Sequence, residues 1–245
     1  MWSFIQGAAL SYRGLFTWLN PWGYLSSRIV RPIGLALTFT AASAHYGAAV
    51  GPTLVGAGLL AGAHAVIYGM ALSVGNERNY GTMQSWLASP QNILGAMCQR
   101  ALPHLLDGFI SGALTFLVCG QLFHQWYLSI GMFAALLALT LLSSAGLGLV
   151  VGGLNLRVRD MFLWPNIVVL LLMLFSGVLM ASERLPAVLR PLAAAFPLSH
   201  VMAAVRSGAV RFGDAALAYE VGVGICWFAL GVLTVQLMLR DRGER

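Results

Sequence analysis

Long apolar runs dominate the chain, and its polar positions fall between them. Runs near 24–45, 52–74, 95–119, 128–153, 161–181 and 216–239 are each about long enough to cross a ~30 Å hydrocarbon core at about 1.5 Å per helical residue. They predict six transmembrane helices. Ahead of them, Trp2, Ile5, Ala9, Tyr12, Phe16 and Leu19 step by threes and fours along one face, with Ser3, Gln6, Arg13, Thr17 and Asn20 on another. This predicts an N-terminal helix over 1–20 lying in the membrane interface, stopped at Asn20-Pro21; the alternative is the start of a long first span. Between the fifth and sixth runs, residues 182–215 are interrupted by Pro186, Pro191 and Pro197. The pieces Ala187–Phe196 and Leu198–Val210 are too short to span and predict a short outer helix pair, re-entrant or interfacial. The predicted fold class is an all-α membrane protein, one domain over 1–245.

Composition agrees with the pattern. Hydrophobic residues make up 59% and charged residues 9% of the chain, against the roughly 25% charge that solvates a soluble domain. All 14 basic residues are arginine. Without lysine there is no P-loop, whose lysine must reach the nucleotide phosphates, and no Schiff base for retinal or pyridoxal. The chain has no ATPase site of its own; if ATP powers it, another chain binds the ATP. The net charge of +6 does not gather into a basic patch, so nucleic acid is not a partner. The arginines lie at the ends of apolar runs: Arg13, Arg28, Arg31, Arg78, Arg100, Arg157, Arg159, Arg240, Arg242 and Arg245 on one side, and Arg184, Arg190, Arg206 and Arg211 on the other. Ten against four predicts cytoplasmic N- and C-termini. Cys98, Cys119 and Cys226 have no metal spacing, and no cofactor or metal site is expected. The N-terminus shows no pattern of a cleaved signal peptide. Gly58 and Gly62 have the small-xxx-small spacing of close helix packing.

Four groups of residues are candidates for function. The polar stretch Asn76–Pro90, between the second and third runs, holds Gly81 and then Met83, Trp86 and Leu87 at helical spacing, closed by Ser89-Pro90. It reads as a short amphipathic cytoplasmic helix or as a solvated loop with an interfacial anchor. In the third run, Arg100, His104 and Asp107 share a helix face, and Pro103 predicts a kink there. Asp107 lies about 18 Å along the helix from Gly95, where a carboxylate costs about 2.5–3.5 kcal/mol and normally faces protein or water. It belongs either to a substrate path or, the preferred reading, to a pairing with His104 or a helix–helix contact. Arg157, Arg159 and Asp160 form a charged turn, read as a cytoplasmic contact or as anchoring charge, with Asp160 capping the next helix. Glu183 and His200, in the outer pair, are gate candidates or structural residues. His45, His64 and His124 receive no role.

The stretch Glu77-Arg78 … Gly81-Thr82 … Leu87-Ala88-Ser89-Pro90 resembles the E-R-x-x-G-T-x-x-x-L-x-x-S-P signature of type 2 ABC export permeases. Phe175-Ser176-Gly177 … Leu185-Pro186 … Phe196-Pro197-Leu198-Ser199-His200 … Arg206 is similar to that family's outer block, and Asn155–Asp160 to the R-x-R-D turn of its polysaccharide- and drug-exporting branches. Ser199 stands where threonine is commoner, and Ala181-Ser182 where a proline often follows the span.

The resemblance implies a permease subunit of an ATP-driven exporter in the plasma (inner) membrane of a prokaryote. It implies a coupling helix over 75–92, with Glu77, Arg78, Gly81, Thr82, Trp86, Leu87, Ser89 and Pro90 as coupling residues. Glu77 and Arg78 would make charged contacts with the ATPase, and Trp86 and Leu87 would fill a socket in it. The implied partners are two ABC ATPase subunits, which carry the ATP and Mg, and a second permease copy. The cargo would be an amphipathic drug, lipid or glycan. The alternative class is an ion-coupled secondary transporter or channel, against which stand the lack of an internal repeat and the single deep carboxylate in the first five spans. An intramembrane enzyme would need a catalytic pair or metal cluster, and the sequence offers none.

Overall fold

Why these apolar runs become helices follows from their solvent. In lipid every backbone polar group must be satisfied internally, and a helix does this within one segment. The computed structural model describes residues 2–15, 20–89, 92–208 and 210–240, with the side chains at 2–5, 11, 14, 15 and 21 outside that set. Phe16, Thr17, Leu19, Pro90, Arg242 and Arg245, and the side chains of Trp2, Ser3 and Ile5, therefore lie outside the described residues. Among the described residues the chain is helical, with no strand.

An N-terminal helix, α1 (Trp2–Leu15), precedes a continuous helical run made of α2 (Pro21–Leu25), a π-wound turn (Ser26–Val30) and α3 (Arg31–His45). Asn20 caps the start of that run by accepting from the Gly23 N–H at 2.6 Å. There follow α4 (Val50–Asn79), the short α5 (Met83–Ala88), α6 (Ile93–Phe123) and α7 (Ile130–Asn155). The chain closes with α8 (Leu163–Phe175), α9 (Arg190–Ala195), α10 (Ser199–Arg206) and α11 (Ala215–Arg240). By length and apolarity α4, α6, α7 and α11 can each cross a membrane.

Helix α4 is the centre of the bundle. Its most apolar stretch is 89% buried inside the chain, whereas that of α11 is 17% buried. Gly58 and Gly62 act as their spacing predicts. A Cβ built on Gly112 would lie 2.8 Å from the Gly58 carbonyl oxygen, and one on Gly108 2.8 Å from that of Gly62. The backbones of α4 and α6 therefore touch, which no larger residue permits. A second glycine seam joins α7 to α11 through Gly146, Gly224 and Gly231.

On α1, Ala8 is buried and Tyr12 half-buried, while Ala9 is exposed. One element differs from the sequence expectation. The run at 161–181 forms a helix only over Leu163–Phe175, about 20 Å long, short of a full crossing. Gly177 takes a φ of +78°, which stops the helix. The freed carbonyls of Gly177 and Val178 accept from Arg206 at 2.9 Å each, so this non-helical backbone is buried within protein. The proline-broken stretch does yield two short helices, α9 and α10.

Candidate functional site

The candidate segment between α4 and α6 begins as a helix stop. At the end of α4 the Gly81 N–H bonds the Arg78 carbonyl at 3.0 Å, and the Thr82 N–H bonds the Glu77 carbonyl at 2.9 Å. With Gly81 at φ +71°, this is a Schellman cap. The Thr82 hydroxyl also donates to the Glu77 carboxylate at 2.5 Å. Glu77, Gly81 and Thr82, three of the coupling residues expected from sequence, therefore act first on their own chain, where they end α4 and turn the backbone into α5.

Glu77 and Arg78 are engaged within the chain. The Glu77 carboxylate pairs with Arg100 at 2.6 Å, and Arg100 also donates to the Ser73 carbonyl at 2.8 Å and lies 4.4 Å over the Trp86 ring. Arg78 donates to the carbonyls of Leu156, at 2.5 Å, and Val158. These bonds set the 156–160 turn beside the 77–82 turn. Trp86 and Leu87 are half-buried against Met70, Val74, Met83 and Met97. They pack against the bundle's own core. Exposed positions include Tyr80, Gly81, Thr82, Gln84, Ser85 and Ala88, and, on the 156–160 turn, Arg159 and Asp160. Ser89 is half-buried. Arg157 reaches the Met238 carbonyl at 3.5 Å, and Asp160 accepts from the Phe162 N–H at 2.8 Å in the turn that precedes α8.

Arg100, His104 and Asp107 do share one face of α6, which runs through Pro103 unbroken. His104 Nε2 lies 2.8 Å from the Ser73 hydroxyl. His104 Nδ1 is 3.9 Å from Asp107 Oδ2, a long contact. The near partners of Asp107 are Tyr12 and Tyr24, whose hydroxyls donate to Oδ1 at 2.6 and 2.7 Å. Burial and the bond to Asp107 raise the Tyr12 phenol above its ordinary pKa, so it stays a donor. The face of α6 thus ties α4 and α5 at one end to α1 and α2 further along.

Toward the outer pair, His200 is half-buried and Glu183 is exposed, and both line a cleft of about 150 Å³. His200 Nε2 lies 2.9 Å from the Ala194 carbonyl. The residue that fastens this region is one that sequence reasoning passed over. Glu220 on α11 is fully buried, and its Oε1 accepts from the Leu198 N–H at 2.7 Å and the Ser143 hydroxyl at 2.6 Å. Leu198 has a φ of +75°, unusual for a branched side chain. A carboxylate alone inside an apolar run was the available signal.

This arrangement defines a multi-pass membrane domain of apolar helices, with a short helix, α5, set off by the turn at the end of α4. The sequence model of the ABC-2 type transporter family matches residues 5–210, and the chain belongs to that family: it is a transmembrane ABC permease, the kind of subunit that normally pairs with an ABC ATPase. No curated protein matches the chain.

Proposed function

We propose that this permease is the membrane subunit of an ATP-driven exporter and receives work from a separate ATPase through the 77–89 segment. The observation that carries the reading is the construction of that segment. Helix α4 ends in a Schellman cap, and α5 is braced against the core through Trp86 and Leu87 and through the Glu77–Arg100 pair. A push on α5 therefore reaches α4 and α6 directly, while Arg78 carries it to the 156–160 turn. Tyr80, Gln84, Ser85 and Ala88, with Arg159 and Asp160, form the docking surface. Two permease copies on two ATPase subunits, which bind the ATP and Mg, face the cytoplasm of a prokaryote with both termini inside. The pathway serves an amphipathic drug, lipid or glycan, with Glu183 and His200 at its outer mouth. ATP-driven closure of the ATPases shifts the bundle between inward- and outward-facing packings.

The test is co-purification. An ATPase subunit with vanadate-sensitive hydrolysis should elute with the wild-type permease. Gly81→Pro, which cannot take the positive φ, should lower transport at least tenfold while the protein remains in the membrane. Transport driven by an ion gradient with no nucleotide, or full transport by Gly81→Pro, would overturn the proposal.

A further inference from the structure

A cleft of about 450 Å³ opens between α1, α2 and α6, within the ~300–1,000 Å³ range of small-molecule sites. Its walls are apolar, with Ala9, Leu102, Leu106 and Ile110 among them, and its polar groups are Tyr12, Tyr24 and Asp107. Asp107 is only 4% exposed. Both tyrosine hydroxyls donate to Oδ1, whereas among the described residues Oδ2 accepts no hydrogen bond, and the His104 Nδ1 that faces it at 3.9 Å makes none either. A carboxylate in a medium this apolar is left with an open valence, which is costly unless a positive group fills it. Arg28 does not line the cleft; its guanidinium donates to the Ala65 carbonyl on α4 at 3.2 Å.

The chemistry that matches is a positive charge with little hydration to lose and an apolar body to bury. Two phenol rings beside a carboxylate suit such a charge, by cation–π attraction and by Coulomb attraction in low dielectric. An anion would meet Asp107 directly. A small, strongly hydrated cation would forgo the apolar walls. We propose that this cleft is a binding site for lipophilic organic cations, with Asp107 as counter-ion and Tyr12 and Tyr24 as aromatic walls. The proposal rests on the exporter reading only in making that ligand a cargo.

Binding can be measured on the full chain alone, in nanodiscs of zwitterionic phospholipid, with empty nanodiscs subtracted. Tetraphenylphosphonium and tetraphenylborate have nearly the same shape and opposite charge. Saturable binding of the cation is expected, with none of the anion. Asp107→Asn should weaken the cation at least tenfold. Ala9→Trp, at an exposed wall position away from the carboxylate, should abolish binding by filling the cleft, and it decides the matter where Asp107→Asn does not fold. Equal binding of the two ions, or cation binding undiminished in Ala9→Trp, would overturn the site. Because no ATPase is present, failure here leaves the co-purification result and the exporter reading untouched.

Discussion

Gly146→Val is expected to prevent recovery of a monodisperse permease. A Cβ at Gly146 would lie 2.4 Å from the backbone nitrogen of Phe228 and 2.8 Å from the carbonyl carbon of Trp227. These are main-chain atoms of α11, so no side chain can swing aside. Gly224 and Gly231 close on α7 from the other side: a Cβ there would lie 2.9 Å from Ser143 Cα and 3.0 Å from the Gly146 oxygen, respectively. Helices in lipid associate by such close packing and have little hydrophobic drive in reserve. The cost should reach the top of the overpacking range, about 3 kcal/mol or more. Gly222, on the same helix with nothing within 4 Å, is the control, and valine there should change stability by no more than about 0.5 kcal/mol. Melting in detergent and size-exclusion profiles measure both; similar profiles for the two variants would refute the glycine seam.

The second large effect is expected at Glu220. Alanine there removes the acceptor shared by the Leu198 N–H and the Ser143 hydroxyl. An unpaired buried N–H costs about 1–3 kcal/mol, and a left-handed leucine about 1–2 kcal/mol that nothing would then hold in place. Amide exchange across α9 and α10 should accelerate at least tenfold in Glu220→Ala, while α4 and α6 keep their protection. Glu220→Gln retains a carbonyl acceptor and should recover most of the loss. Leu198→Gly, which relieves the positive φ, should partly rescue the alanine variant, giving a coupling that a double-mutant cycle measures. Unchanged exchange in Glu220→Ala would show that the outer pair is held by packing alone.

Much of the helix plan was legible because apolar run length is a direct physical requirement of the bilayer. The shared face of Arg100, His104 and Asp107 was also legible, since helical spacing alone decides it. What escaped depended on partners far along the chain. The end of α8 is set by Gly177 together with Arg206, 29 residues later. Asp107 finds Tyr12 and Tyr24, 95 and 83 residues earlier, and not chiefly the neighbouring His104. Trp86 and Leu87 form a clear amphipathic stripe, but periodicity cannot say whether that stripe meets the chain's own core or another subunit. Glu220 differs, because its signal was present: one carboxylate inside the last apolar run, with its partner Ser143 77 residues away.

The two glycine seams carry a mechanical consequence. Where main chain lies on main chain, as between α4 and α6 and between α7 and α11, neither helix can slide or rotate on its neighbour without a steric collision. Each seamed pair should travel as a solid piece during turnover. The α1–α3 arm and the α8–α10 cap meet the rest through side chains, with Ala36, Val169, Leu172, Val201 and Met202 packed in the core, and such contacts can part and re-form where a main-chain seam cannot. Spin labels placed on those outlying parts should report large excursions, and pairs placed within a seam should report none.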